Sequence, residues 1–210
     1  MCGRFTLTTP LEEIAKLYKV KLPDQTFNPS FNAAPGQFLP VITARKPDQL
    51  QLFKWGLVPF WSKTAKPGYS LINARAESVT SKPSFRTAFT RNRCLVPADG
   101  FYEWDKKSKI KKPYRIELKN HQPFTFAAVC DKWEDKDKQQ AIKSFSIITT
   151  DSNKLVSQIH PRMPVMLNAD EAAKWIDSQT EPQDAAKLLR QFPAGKLEMY
   201  EVSRAVIKPV

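Results

Sequence analysis

Four residues of this chain have side chains suited to carbonyl chemistry: Cys2, Asn73, Glu103 and His160. Loss of Met1, which the modest size of the second side chain favours, makes Cys2 the amino terminus. Cys2 then carries an α-amine with an ordinary pKa of about 7.7–8.0 and a thiol of about 8.5. Both are partly deprotonated near neutral pH. An aldehyde meeting this pair forms an imine with the amine, and the sulfur then closes a five-membered thiazolidine. Because the two groups sit on adjacent carbons, ring closure is effectively unimolecular.

Glu103 lies between two aromatics in Gly100-Phe101-Tyr102-Glu103-Trp104. Such neighbours are expected to raise its pKa toward the working range of a general acid and base. Asn73, neutral and bidentate, can orient the Cys2 amine or a substrate without titrating. His160, in His160-Pro161-Arg162-Met163-Pro164, can supply a hydrogen bond. Each also has a plain structural reading. Cys2 can belong to a mobile tail, Asn73 can cap a turn, Glu103 can pair with a lysine, and His160 can complement a helix dipole. Their joint occurrence points to chemistry, since together they complete a set for carbonyl condensation.

The chain that must position them has 210 residues, 41% hydrophobic and 26% charged, which suits one soluble domain over residues 1–210. No apolar run approaches the ~20 residues that span a bilayer. Glu12, Glu13 and Lys16 interrupt any leader, so a cytoplasmic protein with no membrane partner is expected. Three scattered cysteines and two histidines (His121 and His160) make neither a disulfide framework nor a zinc clip, so neither metal nor cofactor is expected. Cys94 and Cys130 read as buried thiols. The net charge of +12 favours a polyanionic partner, nucleic acid first. Part of it, from Lys106 to Lys112, reads as a solvated loop.

Thr9-Pro10-Leu11-Glu12 predicts a capping box and a helix over 10–19. Residues 21–37 are rich in proline and read as irregular, with Asn32-Ala33-Ala34-Pro35 on a loop. Strands are predicted at 38–43, 50–57, 100–104, 113–118, 123–130, 144–150 and 198–202. A short apolar strand leads into Asn73, and 59–70 is irregular around Trp61 and Tyr69. Helices are predicted at 83–91, 151–159, 169–178 and 182–191, with Asn168 or Asp170 capping the third. The fold class expected is α+β, a single domain with a bent, partly barrel-like sheet and flanking helices.

Seven motifs then occur together and in order: Met-Cys-Gly-Arg-Phe at 1–5, Asn-Ala-Ala-Pro at 32–35, Trp-Gly-Leu-Val-Pro-Phe-Trp at 55–61, Asn-Ala-Arg-Ala-Glu at 73–77, Arg-Cys-Leu-Val-Pro at 93–97, Gly-Phe-Tyr-Glu-Trp at 100–104 and His160 through Pro164. In these the chain resembles the SRAP family, the SOS response-associated peptidases that process abasic sites. The resemblance implies a monomer that binds abasic sites in single-stranded DNA and crosslinks to them through Cys2. Family catalytic roles map onto Cys2, Asn73, Glu103 and His160. DNA contacts map onto Arg4, Arg75, Arg86 and Arg162, and further onto Asn32, Pro40, Trp61 and Thr149. Weak lyase activity, self-removal of Met1 and residence on the nucleoid when DNA is bound are implied too.

Two other readings stay open on the residues alone. One is an amidohydrolase in which the Cys2 amine is base to its own thiol. The other is a non-catalytic single-strand binding module with Cys2 incidental. The arginine-bearing motifs favour DNA over the first of these.

Overall fold

The structure, a computed structural model, describes residues 2–65, 71–106, 111–135 and 139–207. Met1, Tyr69 and the lysine-rich stretch 107–110 lie outside the described residues. The chain opens with strand β1 (Arg4–Leu7), helix α1 (Leu11–Tyr18) and strands β2 (Ser30–Ala33), β3 (Phe38–Thr43), β4 (Lys46–Trp55) and β5 (Asn73–Arg75). Helix α2 (Arg86–Arg91) precedes β6 (Arg93–Ala98), β7 (Gly100–Trp104), β8 (Pro113–Leu118), β9 (Phe124–Asp135) and β10 (Gln140–Asp151). Short strands β11 (Arg162–Pro164) and β12 (Met166–Leu167), helices α3 (Ala169–Ile176) and α4 (Pro182–Lys187), and strand β13 (Leu197–Glu201) complete it.

Two sheets share the core. In the larger, β10, β4, β3, β6 and β9 follow one another, and β9 pairs back onto β10, which closes a five-stranded barrel. Closure removes the exposed edges that an open sheet of this kind would present. The second sheet is open, in the order β13-β8-β7-β1-β2. Residues such as Val96, Phe126, Ala128, Phe145 and Ile147 are fully or almost fully buried, consistent with strands apolar enough to face protein on both sides.

The two sheets meet through Phe5. Its ring, fully buried, lies 5.2 Å from that of Trp55 on β4 and 5.7 Å edge-on from that of Phe126 on β9. Trp55 in turn stacks on Phe145, 6.2 Å away, and donates from its indole nitrogen to the Ile72 carbonyl. Burial of such a ring contributes roughly 1.5–3 kcal/mol, and the tilted contacts add to it.

Three local expectations are corrected. Thr9 does not cap α1, because the buried Asp99 carboxylate takes the amides and hydroxyls of both Thr8 and Thr9. Asn32 and Ala33 are in a strand rather than a loop, paired with β1 despite the surrounding prolines. The helix expected over 151–159 shrinks to a single turn at Val156–Gln158. Asp151 is still in β10, and the Asn153 side chain accepts the amides of Leu155 and Val156, replacing helical partners. Helix α3, by contrast, starts at an Asn168 capping box as expected.

Replacing the Phe5 ring by a methyl group, Phe5→Ala, should lower unfolding stability by about 3–5 kcal/mol in a urea titration. A loss under about 1 kcal/mol would mean that the two sheets do not depend on this ring.

Candidate active site and nucleic-acid interface

The start of β1 is placed by main-chain pairing. Strand β1 runs antiparallel to β7 with Arg4 opposite Tyr102 and Phe5 opposite Phe101. Glu103 is the next residue of β7, so this register brings its carboxylate to the start of the chain. On the other side β5 runs parallel to β10, with Asn73 opposite Ile147. From there the Asn73 amide donates to the Cys2 carbonyl oxygen at 2.9 Å. The fourth residue arrives from the turn after β10: His160 Nδ1 lies 3.8 Å from Glu103 Oε1, with both side chains almost wholly buried. Cys2, Asn73, Glu103 and His160 therefore converge from four separate segments.

The electrostatics of this cluster follow from burial. Cys2 is fully enclosed, and burial pushes its thiol well above the ordinary range, with the Glu103 carboxylate adding to the effect. Burial also raises the Glu103 carboxyl, so the protonated acid survives to higher pH than on a surface. The aromatic flanks expected to do this are only part of the cause, because the whole strand is enclosed. Burial lowers His160 to about 4, and the positive charges of Lys106 and Arg162 reinforce that, so its imidazole is neutral at pH 7. Its Nδ1 lies 2.9 Å from the Arg162 carbonyl oxygen and 3.0 Å from the Arg162 amide nitrogen; the tautomer decides which bond forms. Among the described residues, Asn73 Oδ1 is a buried acceptor without a hydrogen-bond partner. Such an orphan acceptor is suited to an incoming N–H or O–H.

Residues expected to meet DNA fall into three groups. Arg75 and Arg86 are exposed, and Trp61 is half exposed beside exposed Phe60. That segment is anchored, since the Phe60 amide donates to Asp131 and the Trp133 indole donates to the Ser62 carbonyl. Arg4, Asn32 and Arg162 are already engaged. Arg4 Nη1 donates to Asn32 Oδ1 and to the Val206 carbonyl, and Asn32 Nδ2 donates to that same carbonyl at 3.0 Å. Arg162 is held by Glu77 at 2.6 and 3.1 Å, by Asp151 at 2.8 Å and by the Thr149 carbonyl at 2.6 Å. Pro40 and Thr149 form the last group: both are buried within strands, and the Thr149 hydroxyl is spent on the Ala74 carbonyl.

Sequence reasoning missed Glu77 and Asp151 as the carboxylates that grip Arg162. Glu77 ends the Asn-Ala-Arg-Ala-Glu motif, so a signal was present, and its carboxyl is held low by the hydrogen bond from Arg162. The turn Arg204–Ile207 over Arg4 and Asn32 had no signal at all.

Similarity to known proteins agrees with this fold. The chain matches the family described as SOS response associated peptidase (SRAP) over residues 1–209, and it belongs to that family. It is 40% identical over 216 residues to the abasic site processing protein YoqW of Bacillus subtilis (strain 168), covering all of this chain and 95% of that one. It is 30% identical over 251 residues to the abasic site processing protein HMCES of Xenopus tropicalis, covering 98% of this chain and 74% of the relative. A crystal structure of a Bacteroides thetaiotaomicron protein superposes with a TM-score of 0.90 at 31% identity, covering 97% and 93% of the two chains.

The depressed His160 has a measurable consequence. An unfolded histidine titrates near 6.5, and His160 in the fold titrates at about 4. Between those values the unfolded chain binds the extra proton, so stability falls as pH drops through this window. His160→Asn should therefore lose less stability than the parent between pH 7 and pH 4.5 in urea titrations. Equal losses in the two proteins would show that His160 is not held neutral.

Proposed function

We propose that this protein processes abasic sites in single-stranded DNA by forming a covalent thiazolidine between Cys2 and the ring-opened sugar. The observation that carries the reading is the convergence of Asn73, Glu103 and His160 on the first residues of the chain. The names of the relatives, abasic site processing proteins, support the substrate class. The net charge of +12 and the exposed Arg75 and Arg86 suit a phosphate backbone. Recognition needs no reading of base edges, because the lesion has no base.

The order of events follows from the buried thiol. With its pKa raised, the sulfur is not the first nucleophile, and the amine freed by loss of Met1 attacks the C1′ aldehyde first. Protonated Glu103 gives its proton to the departing hydroxyl, water leaves, and an iminium forms. That new positive charge lies next to the thiol and lowers its pKa. Glu103, now a carboxylate, takes the thiol proton, and the sulfur adds to the iminium carbon. The balance is aldehyde plus aminothiol giving thiazolidine plus one water. Asn73 keeps the Cys2 main chain in place and offers its orphan oxygen to the amine. Neutral His160 places a polar ring beside Glu103 rather than a charge. If ring closure fails, the iminium can β-eliminate and cut the strand, which accounts for an accompanying weak lyase activity. The same amine-exposing step is a peptidase-type cleavage after Met1.

The test is a denaturing gel of Met1-free protein mixed with a single-stranded oligonucleotide carrying an abasic site. A heat-resistant shifted band is expected, absent in Cys2→Ala and formed at least about 100-fold more slowly in Glu103→Gln. A shifted band of parental intensity with Cys2→Ala would sink the reading.

The turn at 204–207 adds a second prediction. Its Val206 carbonyl occupies Arg4 and Asn32, so DNA reaching those residues must displace it. Ending the chain after Val202 should tighten binding to single-stranded DNA at fixed salt, measured by fluorescence anisotropy. Unchanged or weaker binding would mean that Arg4 and Asn32 do not contact the strand.

A further inference from the structure

Away from this site, toward the β13 edge of the open sheet, three metal-ligating side chains converge. Glu117 on β8 and Glu198 on β13 are directly opposite one another in the antiparallel register. His121, in the turn after β8, brings Nδ1 to 3.4 Å from Glu117 Oε1 and 3.5 Å from Glu198 Oε1. All three donor atoms lie within 4.8 Å of one another. We infer that Glu117, His121 and Glu198 form a binding site for one divalent transition-metal cation of the zinc type.

The spacing matches the ion. A tetrahedral zinc with ligands at about 2.0–2.1 Å has donor-to-donor edges of roughly 3.3–3.4 Å. The two histidine-to-carboxylate separations are close to that edge. One imidazole nitrogen with two carboxylates is a set that zinc, cobalt or nickel accepts, whereas magnesium and calcium prefer oxygen donors throughout. The fourth position faces solvent, because His121 is exposed and Glu198 partly so, and water would fill it.

The surroundings orient the donors. Glu117 is almost fully buried, and its second oxygen is ion-paired with Arg115 Nη2 at 2.9 Å. The Tyr200 hydroxyl donates to Glu117 Oε1 at 3.0 Å, leaving that oxygen one lone pair for an ion. Outer partners of this sort fix a ligand's direction. Charge points the same way. Two carboxylates facing each other across a strand pair repel. Asp99 also draws on Arg115, at 3.6 Å, so that guanidinium is shared between Asp99 and Glu117 in a chain that is otherwise strongly basic. An ion here would clip β13, an outermost strand of its sheet, to β8 and to the turn before β9. The expectation of no metal site rested on counting cysteines and histidines; strand register supplies two glutamates that such counting does not see.

The site is independent of the DNA chemistry, so its test does not depend on that reading. Zinc chloride is titrated into the full chain by calorimetry, in parallel with His121→Ala and Glu198→Gln, both at exposed or partly exposed positions that leave the fold intact. The parent should bind one equivalent and melt at a higher temperature with zinc present. Each variant should bind at least about ten-fold more weakly, since even outer partners of metal ligands typically cost that much. No binding by the parent, or parental affinity in either variant, would overturn the assignment. The second outcome would place any bound zinc elsewhere, for instance on Cys94 and Cys130.

Discussion

The structure depends on the burial of Phe5. Its ring closes the contact between the open sheet and the aromatic centre of the barrel, against Trp55 and Phe126. Chain termini normally fray because nothing repays the entropy of ordering them. Here the fifth residue is a core residue, and the strand that carries it has partners on both sides, β2 and β7. Cys2, only three residues upstream, has little freedom left. A side chain confined in this way is oriented in advance and needs no search for its partners.

Confinement has an electrostatic consequence. The enclosure that orders Cys2 also raises its thiol and the Glu103 carboxyl and keeps His160 neutral. One cause, loss of water, thus moves three groups in the direction that disfavours charge on each. The cluster is correspondingly poor at binding a metal or holding an ion pair. It is better suited to passing protons among neutral groups. The basic residues are arranged differently. Arg75 and Arg86 stay in solvent, while Arg162 is locked by Glu77, Asp151 and a main-chain carbonyl. Attraction for a polyanion and proton chemistry are therefore separated by depth.

The β13 edge of the open sheet shows the opposite balance. Asp99 and Glu117 share Arg115, Glu198 lies opposite Glu117, and the repulsion is tolerated because the carboxylates are tied to Arg115, Tyr200 and His121. Asp99 connects this knot to the first strand, since it also binds Thr8 and Thr9 at the end of β1. The two sites thus share the open sheet, with Glu103 on β7 and Glu117 on the neighbouring β8.

Much of this was legible in the residues. Alternating and apolar runs located β7 and β8 with their bounds, and the Asn168 capping box announced α3, because those signals are local. The four residues that converge were legible by type and motif, since an aminothiol, a carboxyl and neutral hydrogen-bonding partners are a set that the sequence alone displays. Proximity was not. That Asn73 holds the Cys2 main chain, that Glu77 grips Arg162, and that Val206 covers Arg4 are contacts between residues 71, 85 and 202 positions apart. Side-chain competition was equally invisible: Asp99 takes Thr9 from its helix cap, and Asn153 ends a helix that periodicity favoured. Local sequence determines which side chains are available and which segments are strands; only strand register and barrel closure, set by burial summed over the whole core, decide which groups lose water together.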